Sequence, residues 1–369
     1  MNNLAGAYAD AGRTLEAIQL CEETLQLRKA NPGPNHPDTL QSMNNLANFY
    51  GAAGRAQEAL KLREETLQLR KAKVGPGHPD TLKAMDELAN SYVVARRIQE
   101  ALQLREETLQ LMKAKLGPDH PDTLISMNNL ALTYVAADRP DDALALLNET
   151  VQHRQRRLQS QPGNRLEQSF LAWTHGQMGE AEQARCRLAA AVKAYERSLE
   201  LFTELEQDGA LKHPFFREKM DEYRQRLTLC RKADRAVKDL DFALQQPAAE
   251  VPQLLRMRVR YLLKEQKLPA AVETAAKMKE RAGDQAVSLY DAACLYALCA
   301  GAAKSPSPPA PLPEGARREK LADEAMRLLQ QAVAKGYKNI DHLKKDDDLK
   351  ALREREDYQK LVKELEEKK

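Results

Sequence analysis

The sequence predicts an all-α protein built as a solenoid of stacked helical hairpins, and three observations carry that prediction. The first is an internal repeat. Met1, Met43, Met85 and Met127 lie 42 residues apart, and Leu4, Leu46, Leu88 and Leu130 keep the same step, as do Ala5, Ala47, Ala89 and Ala131. Tyr8, Tyr50, Tyr92 and Tyr134 follow, then Ala17, Ala59, Ala101 and Ala143. The second is composition: Ala, Leu, Glu, Gln, Lys and Arg, the strong helix formers, dominate, and aromatics make up only 5%. The third is spacing. Leu82, Met85, Leu88, Ala89 and Tyr92 recur at intervals of three and four, the stripe of an amphipathic helix. A lone hairpin cannot bury such a stripe, so stacking is obligatory.

Each unit reads as two helices. The first opens at His-Pro-Asp-Thr, residues 78 to 81 in the third unit. Pro suits the first helical position, where its missing N–H is not needed, and Asp lies at the positive end of the helix dipole. The turn falls near Gly12, Gly54, Arg96 and Asp138. The second helix carries Ala59, Leu60 and Leu67 on one side and Lys61, Glu64 and Gln68 on the other. It ends in Lys-Ala-Lys-x-Gly-Pro, a basic last turn followed by breakers. The Ala5 and Ala17 ladders let the two helices approach closely, and Leu and Tyr fill the space to the next unit.

This array covers residues 1–160, with the first unit incomplete. Residues 161–250 read as a divergent turn (SFLAWTHGQMGEAEQA, 169 to 184) followed by a long helical hairpin. One arm is marked by Ala184, Leu188, Ala191, Tyr195, Leu199, Phe202 and Leu205; the other runs from about Pro214 to Leu244. Residues 251–335 read as divergent hairpins, with Asp284 as an N-cap and a Pro-rich insertion, SPSPPAPLPEG, at 305–315. Residues 336–369 read as two short helices capping the last repeat.

NNLAxxY, G-R-x-x-E-A and the GPxHPDTL connector together resemble tetratricopeptide (TPR) repeats of the 42-residue, kinesin-light-chain variety. The resemblance implies a right-handed α-solenoid whose first helices line a concave, peptide-binding face. Arg63 and Arg105 depart from it, standing where such repeats place an apolar residue; their stems are expected to cover apolar surface while the guanidinium reaches nearby Glu residues. YDAACLYALCA, LLQQAVAKGY and LKKDDDLKALREREDYQKLVKEL are similar to the tail of bacterial serine/threonine kinases that carry TPR arrays. That implies a signalling context without implying kinase activity.

Composition and motifs restrict the function. There are 57 basic and 54 acidic residues, a balance that gives no reason to expect a nucleic-acid or membrane-surface partner. Cys21, Cys186, Cys230, Cys294 and Cys299 form no C-x-x-C pair and read as reduced, buried thiols of a cytoplasmic protein. Residues 286 to 303 are the most apolar stretch, but Asp291 in their middle favours a buried helix over a membrane span. No phosphate-binding loop, G-x-S-x-G, H-E-x-x-H or kinase signature occurs, and Asp241-Phe242-Ala243 falls inside a helical pattern. His36, His78 and His120 are better read as connector caps than as metal ligands, because neighbouring units stand about 8–10 Å apart. Glu22-Glu23, Glu64-Glu65 and Glu106-Glu107 recur in every repeat and read as a solvated face. No catalytic residue, metal site or cofactor is expected.

By resemblance, the groove positions are Asn2, Asn3, Gln41, Asn44, Asn45, Asn48, Lys83, Asp86, Glu87, Asn90, Asn128 and Asn129. Two readings stand. Asn is tolerated on a solvated face, and Asn45 helps to hold the hairpin; or its two donors and one acceptor bind the backbone of an extended peptide. Lys83 is the one cation in the set, which disfavours a C-terminal carboxylate ligand. Trp173, beside Phe170, is either buried against the following helix or an aromatic anchor. The expected function is a protein–protein interaction scaffold for a protein or peptide; the alternative is a non-catalytic regulatory region of a kinase signalling system. Met1 sits in repeat register with no connector before it, so the chain is expected to begin inside a repeat, with possible self-association through that open unit.

Overall fold

The computed structural model describes residues 2–303 and 314–367, and every regular element among them is helical. The chain forms two compact units. The first comprises residues 1–185 and 193–223, the second residues 186–192 and 224–369.

The first unit is an all-α solenoid. Its hairpins are α1 (Asn2–Asp10) with α2 (Thr14–Ala30), α3 (Pro37–Ala52) with α4 (Ala56–Val74), α5 (Pro79–Val94) with α6 (Ile98–Leu116), and α7 (Pro121–Ala136) with α8 (Pro140–Ser160). α9 (Arg165–Ala184) follows. Each helix packs on the next in sequence. Connector capping is observed: His36, His78 and His120 accept the Asp38, Asp80 and Asp122 N–H on Nδ1 at 3.3, 3.2 and 3.2 Å. The turns take left-handed backbone at Gly12, Gly54, Arg96 and Asp138, and the next residue donates to the Tyr carbonyl five back at 2.8 Å each time.

The small-residue ladders lie where expected. Ala5, Ala17, Ala47, Ala89, Ala101 and Ala143 are fully buried, as are Met43, Met85 and Met127, each Met worth roughly 1.5–3 kcal/mol. The paired glutamates hold the stack together. Tyr50, Tyr92 and Tyr134 donate to Glu22, Glu64 and Glu106 of the preceding hairpin at 2.6, 2.8 and 2.9 Å. Burial and those carboxylates push each phenol up to about 12. Arg55, Arg97 and Arg139 lie over the same rings at 4.3, 4.4 and 4.6 Å. Lys29, Lys71 and Lys113 reach forward to Glu65, Glu107 and Glu149 at 2.7, 2.8 and 2.8 Å.

Residues 169 to 184 are not a turn. They continue α9, and the chain turns later, at left-handed Cys186. Ala184 therefore ends α9, and the next helix, α10 (Leu188–Gln207), starts after it. Two glycines of this stretch serve packing. A Cβ on Gly179 would stand 2.6 Å from the Tyr195 ring, and one on Gly176 only 1.9 Å from Tyr223. α11 (Pro214–Lys238) brings Phe215 and Phe216 into this unit; α10 and α11 both contribute residues to each unit.

The second unit contains α12 (Leu240–Leu244), α13 (Val251–Lys264), α14 (Leu268–Ala282), α15 (Ala286–Ala302), α16 (Glu314–Ala334), α17 (Ile340–Lys345), a 3-10 turn (Asp347–Leu352) and α18 (Glu356–Glu367). The expected second arm to Leu244 is thus broken at Asp239, which caps α12 by accepting the Phe242 N–H at 2.8 Å. Asp284 is no cap: Gln285 precedes α15, and Asp284 pairs with Lys335 at 3.0 Å. Of the Pro-rich stretch, residues 305–313 lie outside the described residues, and Glu314 opens α16. α15 is the apolar stretch of the sequence and packs between α14, α16 and the 3-10 turn. No helix among the described residues is long and apolar enough to cross a membrane.

Candidate peptide-binding face

The face at issue is formed by the first helices of the hairpins, α3, α5 and α7. Its asparagines divide by environment. Asn44 and Asn128 are buried, at 8% and 0% exposure. The Asn128 amide donates to Thr174 at 3.1 Å and to Gln177, and its oxygen accepts from Arg154 at 3.0 Å. Arg154, fully buried, pairs with Glu167 at 2.7 Å, and Arg157 joins at 3.0 Å. Burial pulls the Arg154 pKa down while Glu167 opposes the shift. Asn128 is therefore a member of an interior polar network, because a buried guanidinium needs every acceptor it can reach. The side chains of Asn2 and Asn3 lie outside the described residues.

Asn48 and Asn90 are exposed yet committed. Arg63 Nη2 donates to Asn48 at 2.6 Å, and Nη1 donates to the Glu87 carbonyl at 2.9 Å. Arg105 repeats the pattern with Asn90, the Asn129 carbonyl and Thr133. Burial lowers the pKa of both arginines. In place of hydrogen bonds to glutamate side chains, both guanidiniums bond to amide, hydroxyl and carbonyl oxygens, with the Asp86 carboxylate 3.9 Å from Arg105 Nε. A sequence signal for this existed. Fifteen residues separate Asn from Arg in both pairs, whereas the same registers hold Gly6 with Cys21 and Leu132 with Leu147.

Trp173 is buried. It is 5% exposed, with Phe215 edge-on at 5.4 Å and Phe170 at 6.2 Å. The aromatic residues of α11 cover it, and this removes it as an anchor. Asn45, half-buried, accepts only an exposed bond from Gln41 at 3.0 Å. Lys83 is exposed, and Glu87 and Asn129 are half-buried. Asn129 holds Asp86 at 3.2 Å. Lys83, Asp86, Glu87 and Asn129 line a cleft of about 860 Å³ between the N-terminal halves of α5 and α7, closed behind by the end of α6.

Among the described residues, Cys294, Asp346 and Asp348 bring ligand-type atoms within 4.8 Å of one another in the second unit. Asp346 accepts from Tyr290 at 2.7 Å, and Asp348 is held by Arg256 at 2.9 Å and by Arg260. Burial pushes the Cys294 thiol well up. These contacts fasten the C-terminal segment to α13 and α15.

The family model described as tetratricopeptide repeat matches residues 1–72, 39–95 and 80–156. Residues 1–156 are tetratricopeptide repeats. TPR arrays are generally protein-interaction scaffolds and generally non-catalytic. The chain is similar to a Podosopora anserina protein of kinesin light chain type with nearly identical TPR-like repeats. Identity is 26% over 56% of this chain and 94% of that one, with a TM-score of 0.50. A second structure of that protein gives 27% over 55% and 93%, with a TM-score of 0.48. BtubC (BKLC) from P. vanneervenii gives 19% over 57% and 80%, with a TM-score of 0.48. The Podosopora anserina protein is of the kinesin-light-chain type that the connector suggested. No curated protein matches the sequence.

Proposed function

We propose that the chain is a non-catalytic interaction scaffold and that the face of α3, α5 and α7 receives an extended segment of a partner protein. The observation that carries this reading is the 860 Å³ cleft on that face, lined by Lys83, Glu87 and Asn129. Its volume suits a side chain with flanking backbone, since binding pockets span about 300–1,000 Å³. Asn45 and Lys83 are not consumed by the scaffold and remain for a ligand. The kinase-associated alternative rests on the resemblance of the C-terminal tail alone.

The test replaces Gln41, Asn45, Lys83 and Asn129 together by Ala and compares partner capture with the parent chain. Loss of capture with an unchanged helical circular dichroism spectrum is expected. Equal capture would remove this face from consideration. Asn48 and Asn90 are left intact, because replacing them disturbs Arg63 and Arg105.

A further inference from the structure

The cleft lies where the repeat breaks its own pattern. Arg28, Arg70 and Arg154 share one register, 42 residues apart or a multiple of it. Arg28 and Arg70 donate to the Asp38 and Asp80 carbonyls at 2.7 and 3.1 Å, tying a second helix to the start of the next first helix. The same register in α6 holds Met112, and Ile125 takes the register of Gln41 and Lys83. Both line the cleft. Two exchanges of polar for apolar residue thus turn a polar seam into an apolar floor, completed by Leu111 and Leu116.

The same exchange leaves acid behind. Arg70 lies 3.8 Å from the Asp80 carboxylate, whereas Met112 can offer Asp122 no such partner. Glu87 Oε2 is buried and has no hydrogen-bond partner. Arg63 is near enough to feel its charge, yet Nη1 and Nη2 turn to the Glu87 carbonyl and to Asn48, and Nε, also buried, makes no hydrogen bond to it. Glu87 lines the cleft, where its carboxylate attracts a cationic ligand group.

Resting on the proposed peptide-binding face, we propose that this cleft is its anchoring subsite, specific for a large aliphatic side chain next to a Lys or Arg. The aliphatic group covers Met112 and Ile125. The cation meets Glu87 and Asp122.

The full chain is panned against a phage-displayed library of short random peptides, and enriched peptides are synthesised for fluorescence anisotropy. Met112→Arg is the decisive variant, because Arg is what three sister hairpins carry there. Enriched peptides should pair an aliphatic with a basic residue and bind Met112→Arg about tenfold or more weakly. Glu87→Gln should erase the preference for the basic residue. Enriched peptides without that pair, or equal binding to Met112→Arg, would overturn the subsite. If such peptides still lose binding on Gln41→Ala with Asn45→Ala, outside the cleft, the peptide-binding face survives and only the anchor falls. Failure to enrich any peptide would overturn both.

Discussion

Arg63 reaches across from α4 to place Nη2 2.6 Å from the Asn48 side-chain oxygen on α3, while Nη1 holds the Glu87 carbonyl of α5. One guanidinium thereby clamps three successive helices. Arg105, 5% exposed, does the same with Asn90 and the Asn129 carbonyl. Asparagines that a sequence reading offers to a ligand are here part of the scaffold.

Replacing Asn90 by Ala should therefore cost about 1–3 kcal/mol in urea unfolding, because a buried Arg105 donor loses its acceptor. The double change Asn90→Leu with Arg105→Leu copies the Leu132 and Leu147 pair of the next hairpin and should recover most of that loss. Additive losses in the double variant would show that the two residues do not act as a unit.

Gly176→Ala should destabilise the protein by about 1–3 kcal/mol through overpacking against Tyr223. Adding Tyr223→Leu should restore part of the loss. A Gly176→Ala variant that melts at the parent temperature would refute the close packing of α9 on α11.

Trp173 is the only tryptophan, so the emission of the folded chain reports on it alone. A blue-shifted maximum that iodide does not quench is expected from its burial under Phe215. Emission near that of free tryptophan would contradict this packing.

His175 supplies a pH dependence. Burial, with Arg197 nearby, pulls its pKa down from 6.5 to about 4. The folded protein keeps it neutral while the unfolded chain binds a proton below its ordinary value, so stability falls as pH drops from about 6.5 toward 4. The slope from this residue is at most about 1.4 kcal/mol per pH unit. His175→Gln should flatten that part of the urea-unfolding profile; an unchanged slope would assign the effect to other groups.

The sequence by itself determined the hairpin array. A 42-residue period, Pro-Asp starts, Ala ladders and Tyr positions act locally or between neighbouring units, so each leaves a periodic mark that one chain can display. It also singled out Lys83, Glu87 and Asn129, which line the cleft. Tertiary structure alone decided the rest. Residues 169 to 184 read as a turn until the Tyr223 and Tyr195 rings are seen to occupy the space beside Gly176 and Gly179 within α9. Trp173 and Asn128 look like groove residues until α11 covers the first and the Arg154–Glu167 pair claims the second. Burial is a property of what other segments bring to a residue, and non-periodic segments such as α9 to α11 leave no repeat from which to read it.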